Sequence, residues 1–181
     1  MQNPFTLTFG KSPLEPVERP LPTMEIVDTF TAETVNQQMF IITGVQGSGK
    51  TVMMTEIARR LREREDWVVI ELNPATDLLQ GMLAKLNSNK VCAAIIKSAK
   101  IDLSFFGFGV AIEGVPPLTD TETAIITILE KLKKQDKRLL ITIDEVTNND
   151  YMKVFAGSFQ IFVRQDLPVF LLATGLYENI D

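Results

Sequence analysis

Apolar positions along this chain alternate between short continuous runs and helical spacing. Met39, Phe40, Ile41 and Ile42 form the first continuous run and end in a glycine-rich turn, the pattern of a buried parallel strand. From Thr51 to Arg64, Val52, Ile57, Ala58 and Leu61 share one helical face, while Arg59, Arg60, Arg62 and Glu63 lie largely on the other. Trp67 to Leu72 predicts a second strand, broken by Asn73, Pro74 and Ala75, and helical spacing follows over Asp77 to Leu86 and Lys90 to Ser98. β-Branched and aromatic residues from Ile101 to Glu113, around Gly107 and Gly109, predict a β-hairpin insertion or bulged strand pair. Thr119 with Glu122 matches a capping box, and Ala124, Ile125, Ile128, Leu129 and Leu132 carry a helix to Gln135. Leu139 to Val146 is almost wholly apolar until Asp144, Tyr151 to Arg164 is helical, and Val169 to Ala173 is a last buried strand. Four apolar strands separated by helices predict an α/β fold, a parallel sheet covered by helices on both faces, with ligands at the C-terminal ends of the strands.

Ahead of this domain, residues 38–181, the spacing differs. Pro4, Pro13, Pro16, Pro20 and Pro22 are five of the nine prolines. They predict an extended leader over residues 1–37, anchored by Phe5, Leu7 and Phe9 and closed by a short helix from Thr23 to Thr31.

Composition narrows the chemistry. With 181 residues, 45% of them hydrophobic and 23% charged, one domain buries a core without disulfide or metal support. The single cysteine, Cys92, and the absence of histidine exclude disulfide frameworks, the usual zinc sites and every mechanism built on an imidazole base. Any general base must be a carboxylate, a lysine or a tyrosine. A net charge of -5 argues against strong nucleic-acid binding by this segment itself. Neither a signal peptide nor a membrane span is evident, so a soluble cytoplasmic protein is the expectation.

The turn after the first strand carries the strongest signal. Gly44, Val45, Gln46, Gly47, Ser48, Gly49, Lys50 and Thr51 fit G-x-x-x-x-G-K-[ST] at every fixed position, between a predicted strand and a predicted helix. Glycines let successive backbone amides curl toward phosphate oxygens, and the following helix adds its unsatisfied N–H groups and positive dipole end. Lys50 supplies a mobile charge for the β and γ phosphates, and the Thr51 hydroxyl is placed to coordinate magnesium. A chance match to the whole pattern should occur in about one in a hundred chains of this length.

A second signal is Leu139-Leu140-Ile141-Thr142-Ile143-Asp144-Glu145, a buried strand that delivers two adjacent carboxylates. Asp144 is placed to hold a nucleotide-bound magnesium by way of Thr51 and bound waters. Glu145, pointing the other way, is the candidate base that polarises a water for in-line attack on the γ phosphate. Solvated carboxylates on a surface turn are the alternative.

Together these segments resemble the Walker A and Walker B elements of ASCE-class P-loop ATPases, closest to AAA+ and STAND-type prokaryotic ATP-binding proteins, over residues 38–175. The resemblance implies ATP and Mg2+ as cofactors. It implies a sheet in which the loop strand neighbours the sensor strand, which neighbours the Walker B strand. It makes Thr174 the candidate catalytic sensor of the attacking water or γ phosphate, against a plain strand-end cap, and it brings the leader and Arg19 near the adenine. Such ATPases continue with a further strand, an arginine finger and a helical lid, so the resemblance makes this chain the front portion of a longer protein. Arg164 precedes the sensor strand and is not assigned as a finger.

The remaining features have bland readings beside sharp ones. Phe105, Phe106 and Phe108 are a partner-binding or stacking hairpin, or core residues. Lys131, Lys133, Lys134, Lys137 and Arg138 read as a solvated helix end, and Cys92 as a buried small hydrophobe. Three functions fit: an ATPase whose hydrolysis drives a conformational switch; a slowly hydrolysing or non-hydrolysing nucleotide-dependent module that recruits protein or DNA through regions outside this chain; and a small-molecule kinase.

Overall fold

The computed structural model describes residues 20–176. Residues 1–19 of the predicted leader, with Phe5, Leu7, Phe9 and Arg19, lie outside the described residues. The elements in chain order are α1 (Pro20–Thr31), β1 (Met39–Thr43), α2 (Lys50–Arg62), β2 (Trp67–Leu72), α3 (Leu78–Ser88), α4 (Lys90–Ser98), α5 (Thr121–Lys134), β3 (Arg138–Ile143), α6 (Asp150–Arg164) and β4 (Val169–Gly175). Every strand pair is parallel, in the order β1-β4-β3-β2. The loop strand β1 therefore lies beside β4, the strand that carries Thr174, and β4 beside β3, which leads into Asp144.

Strand parity divides the core in two. Leu139, Ile141, Ile143, Val169, Leu171 and Ala173 face α3, α4, α5 and α6, while Leu140, Phe170 and Leu172 face α1 and α2. Covering both faces is what a parallel sheet of continuous apolar runs requires. On the α1 side Phe30 sits among Phe40, Trp67 and Phe170, with ring centroids 5.2 to 6.3 Å apart. Among the described residues no helix is long and apolar enough to cross a membrane.

Each of the last four helices begins on a side-chain cap. Asp77 accepts the Gln80 N–H at 3.0 Å, Asn89 the Val91 and Cys92 N–H groups, Asp120 the Thr123 N–H at 2.8 Å and Asn149 the Met152 N–H at 2.9 Å. The cap of α5 is thus Asp120 and not Thr119. Asp120 reaches the Thr123 hydroxyl as well, at 2.7 Å, and Glu122 is drawn away from the capping-box geometry to accept a bond from Ser158 at 2.5 Å.

Three further expectations are corrected. The stretch from Ile101 to Glu113 forms no hairpin: it makes a 3-10 turn at Ser104–Phe106 and then irregular chain. Asp102, 2% exposed, is the reason, because its carboxylate accepts the Ser104 and Ile112 N–H groups at 2.9 and 2.8 Å and ties the segment across itself. Phe106 and Phe108 pack on the core, whereas Phe105 is 63% exposed. Second, β1 is not a fully buried strand. It pairs with β4 alone among the described strands and leaves Met39 and Ile41 exposed, while Phe40 and Ile42 pack on the α2 side. Third, the basic run is not simply solvated. Lys133 pairs with Asp166 at 2.7 Å, and Arg138 lies 5.9 and 5.8 Å from the Trp67 and Phe170 rings. Cys92 is fully buried, and burial pushes its thiol up to about 12, as befits an inert core residue.

Candidate nucleotide site

β1 delivers the chain to the loop at Thr43, and α2 takes it up at Lys50. Between them Gly47 and Gly49 stand at φ 77 and 83, a left-handed conformation that a side chain would strain. At Gly44 the constraint is space: a Cβ there would come within 2.8 Å of the Ser48 hydroxyl, which would have to turn away. The Ser48 N–H turns back to the Val45 carbonyl at 3.3 Å. Lys50 folds over the loop, its ammonium donating to the carbonyls of Gly44 and Val45 at 3.0 and 2.8 Å. The charge is thereby held at the loop where a phosphate would lie.

Thr51, one residue into α2, donates to the two carboxylate oxygens of Asp144 at 3.1 and 3.0 Å. A hydroxyl that donates its proton keeps its lone pairs free, and with the carboxylate it forms a hard-oxygen set suited to magnesium. No group of three or more His, Cys, Asp or Glu side chains that could hold a metal occurs among the described residues. The cation would therefore take its other ligands from phosphate and water, as magnesium commonly does.

After β3 the chain turns sharply. Glu145 is held at φ 56, a conformation that costs a non-glycine residue about 1–2 kcal/mol and marks a turn determined by its surroundings. The surroundings are β4: the Thr174 hydroxyl accepts the Glu145 N–H at 2.9 Å and donates to Asp144, and the Thr174 carbonyl accepts the Val146 N–H at 2.8 Å. Thr174 is fully buried, whereas the Glu145 side chain is exposed at the cavity wall.

The resulting cavity, about 510 Å³, lies at the C-terminal ends of β1, β4 and β3 and brings together Gln46, Gly47, Ser48, Gly49, Lys50, Thr51, Asp144, Glu145 and Thr174. Gly44 and Val45 stand outside the wall and take part through their carbonyls. Val52, Thr147, Gly175 and Leu176 complete the wall and were not singled out from sequence. Thr147 escaped because the apolar pattern carries the strand on through Val146, whereas pairing ends at Ile143 and frees the next residues to turn. Arg164 ends α6 and is not part of the wall.

These features define an α/β P-loop NTPase fold of the ASCE class. A known structure agrees at the level of fold. Cdc6p from Pyrobaculum aerophilum aligns over 90% of this chain and 41% of its own length, with a TM-score of 0.52 at 14% identity. The Orc1 protein of Aeropyrum pernix, solved with DNA, gives 0.48 at 16% identity over 87% of this chain and 38% of its own. PCH-2 from C. elegans gives 0.46 at 15% over 89% and 38%. The chain thus spans about two fifths of the length of these structures. A family model described as mitochondrial ribosomal death-associated protein 3 matches residues 21–94, less than half of the chain. No curated protein matches it.

Proposed function

We propose that this chain binds ATP with magnesium on the Gly44–Thr51 loop and hydrolyses the nucleotide with Glu145 as base, hydrolysis serving as a conformational switch. The observation that carries the reading is the meeting of Thr51 and Asp144 at 3.0 Å beside the loop, with Glu145, the next residue, turned out at the cavity wall. Thr51 and Asp144 would hold the cation, which when bound offsets charge on the phosphates. Lys50, already seated on the loop, exchanges two carbonyl partners for phosphate oxygens. Glu145 takes a proton from water, work for which the chain has no histidine. Glu145→Gln should leave ATP binding, measured calorimetrically, as in the wild type and abolish phosphate release. Equal release by both proteins would overturn the assignment.

One observation favours the second reading, a nucleotide-dependent binding module with slow turnover. Among the described residues Lys50 is the only cation in the cavity wall, so charge developing on the transferred phosphoryl group is met by a single side chain. A partner, protein or DNA, would then be retained with ATP and released with ADP in a pull-down.

A further inference from the structure

Asn149 joins three parts of the molecule: the turn after β3, the start of α6 and the loop after β2. Its Oδ1 caps α6 through the Met152 N–H at 2.9 Å. Its amide Nδ2 donates in two directions, to the Thr147 hydroxyl at 3.0 Å and to the Pro74 carbonyl at 2.8 Å. Capping alone needs only an oxygen, which serine or aspartate supplies as well. Both amide protons are used beyond that need. The anchor they reach is itself fixed, because Asn73 accepts the Ala75 N–H through its side chain at 2.9 Å and the Thr76 N–H through its carbonyl at 3.3 Å.

The consequence follows from strand order. β3 lies between β4 and β2, and the turn that carries Glu145 is tied on the β4 side by Thr174 and on the β2 side by Asn149. With only the β4 tie, the turn would be fixed at the Glu145 and Val146 N–H groups, and the chain from Thr147 onward would lack its anchor on the β2 side.

We propose that Asn149 is a positioning residue for Glu145, bracing the catalytic turn against the β2–α3 loop; this rests on the hydrolytic reading above. A misplacement of about 1 Å costs on the order of 100-fold in rate, so loss of the brace lowers kcat and leaves nucleotide binding, which uses the Gly44–Thr51 loop, as it was.

The test uses the full chain and separates the brace from the cap. Asn149→Ser and Asn149→Asp both retain a capping oxygen and both lose the donor to Pro74, one without adding charge. Both should melt near the wild-type temperature with KM for ATP unchanged, and both should lose about 10-fold or more in kcat. In a Glu145→Gln background Asn149→Ser should change nothing further. Wild-type kcat in Asn149→Ser, while Glu145→Gln is inactive, overturns the brace. So does a joint fall of kcat, ATP affinity and melting temperature, the mark of a cap alone. A wild-type chain that releases no phosphate, or a Glu145→Gln variant that matches it, overturns the hydrolytic reading itself and the brace with it.

Discussion

The Thr174 hydroxyl accepts the Glu145 N–H at 2.9 Å and donates to the carboxylate of Asp144, so one buried side chain on β4 fixes both acidic residues at the end of β3. Asp144 is shared in turn with Thr51 on α2. The glycine-rich loop, the acidic pair and β4 are therefore bonded to one another in the fold itself, and a change at Thr174 reaches the others.

Thr174→Val keeps the shape of the side chain and removes its hydroxyl. The Glu145 N–H then loses its partner and one Asp144 oxygen keeps only Thr51, in a part-buried corner, a loss of about 1–3 kcal/mol. Chemical denaturation should show that loss for Thr174→Val and most of it restored in Thr174→Ser. A valine variant as stable as the wild type would mean that water replaces the hydroxyl and that Thr174 does not hold the turn.

Arg138 offers a second test, at the other end of the sheet. It donates to the carbonyls of Phe30 and Ala32 at 2.6 and 3.1 Å while lying against Trp67 and Phe170, so it fastens the C-terminal end of α1 to the strands. Arg138→Ala should cost about 2–4 kcal/mol from two charge-assisted hydrogen bonds and a stacked cation. Lysine should recover only part, since it lacks the planar fork. Trp67 is the only tryptophan, so its fluorescence reports the site directly: the alanine variant should shift toward longer wavelength well below the denaturant midpoint of the wild type. An unshifted spectrum would place the fastening of α1 elsewhere.

How far the sequence reveals this arrangement depends on the range of the interactions concerned. The strands and helices were legible because their apolar spacing is local, and the bounds of β2 and α4 agree with expectation to the residue. The turn between β1 and α2 was legible because its left-handed backbone demands glycines at fixed spacing, Gly47 and Gly49. What was not legible rests on contacts across the chain. Asp102 reads as one more polar residue until the fold buries it, and it then takes N–H groups that a hairpin would have paired. Glu122 has the spacing of a capping box, yet Ser158, 36 positions away, claims its carboxylate. Asn149 looks like an ordinary helix cap, and only the approach of Pro74, 75 positions earlier, gives its amide a second task. The exposed half of β1 was hidden for the same reason, because an apolar run states that a strand forms and not which of its faces is covered.

Asp102 also sets an expectation for pH. Hydrogen bonds from the Ser104 side chain, and from the Ile112 and Ser104 backbone N–H groups, hold its carboxyl below the ordinary value of 3.8. A carboxyl depressed in the folded state stabilises the fold above its unfolded value and loses that contribution as pH falls through the folded one. In Asp102→Asn, an amide N–H₂ faces one of the two backbone donors at every pH, so the variant should melt below the wild type at neutral pH. As pH falls through the ordinary value of 3.8 and on through the lower folded one, the wild type protonates Asp102 and gives up its advantage, and the gap in melting temperature should narrow. Asp120, which Thr123 depresses in the same way, and Glu56, held at about 2 by Arg59 and Arg60, remain in both proteins and do not contribute to the difference. Melting curves of the two proteins across that range decide the matter. A gap that stays constant into acid would show that the stretch from Ile101 to Glu113 depends on the shape of the side chain at residue 102 and not on its charge.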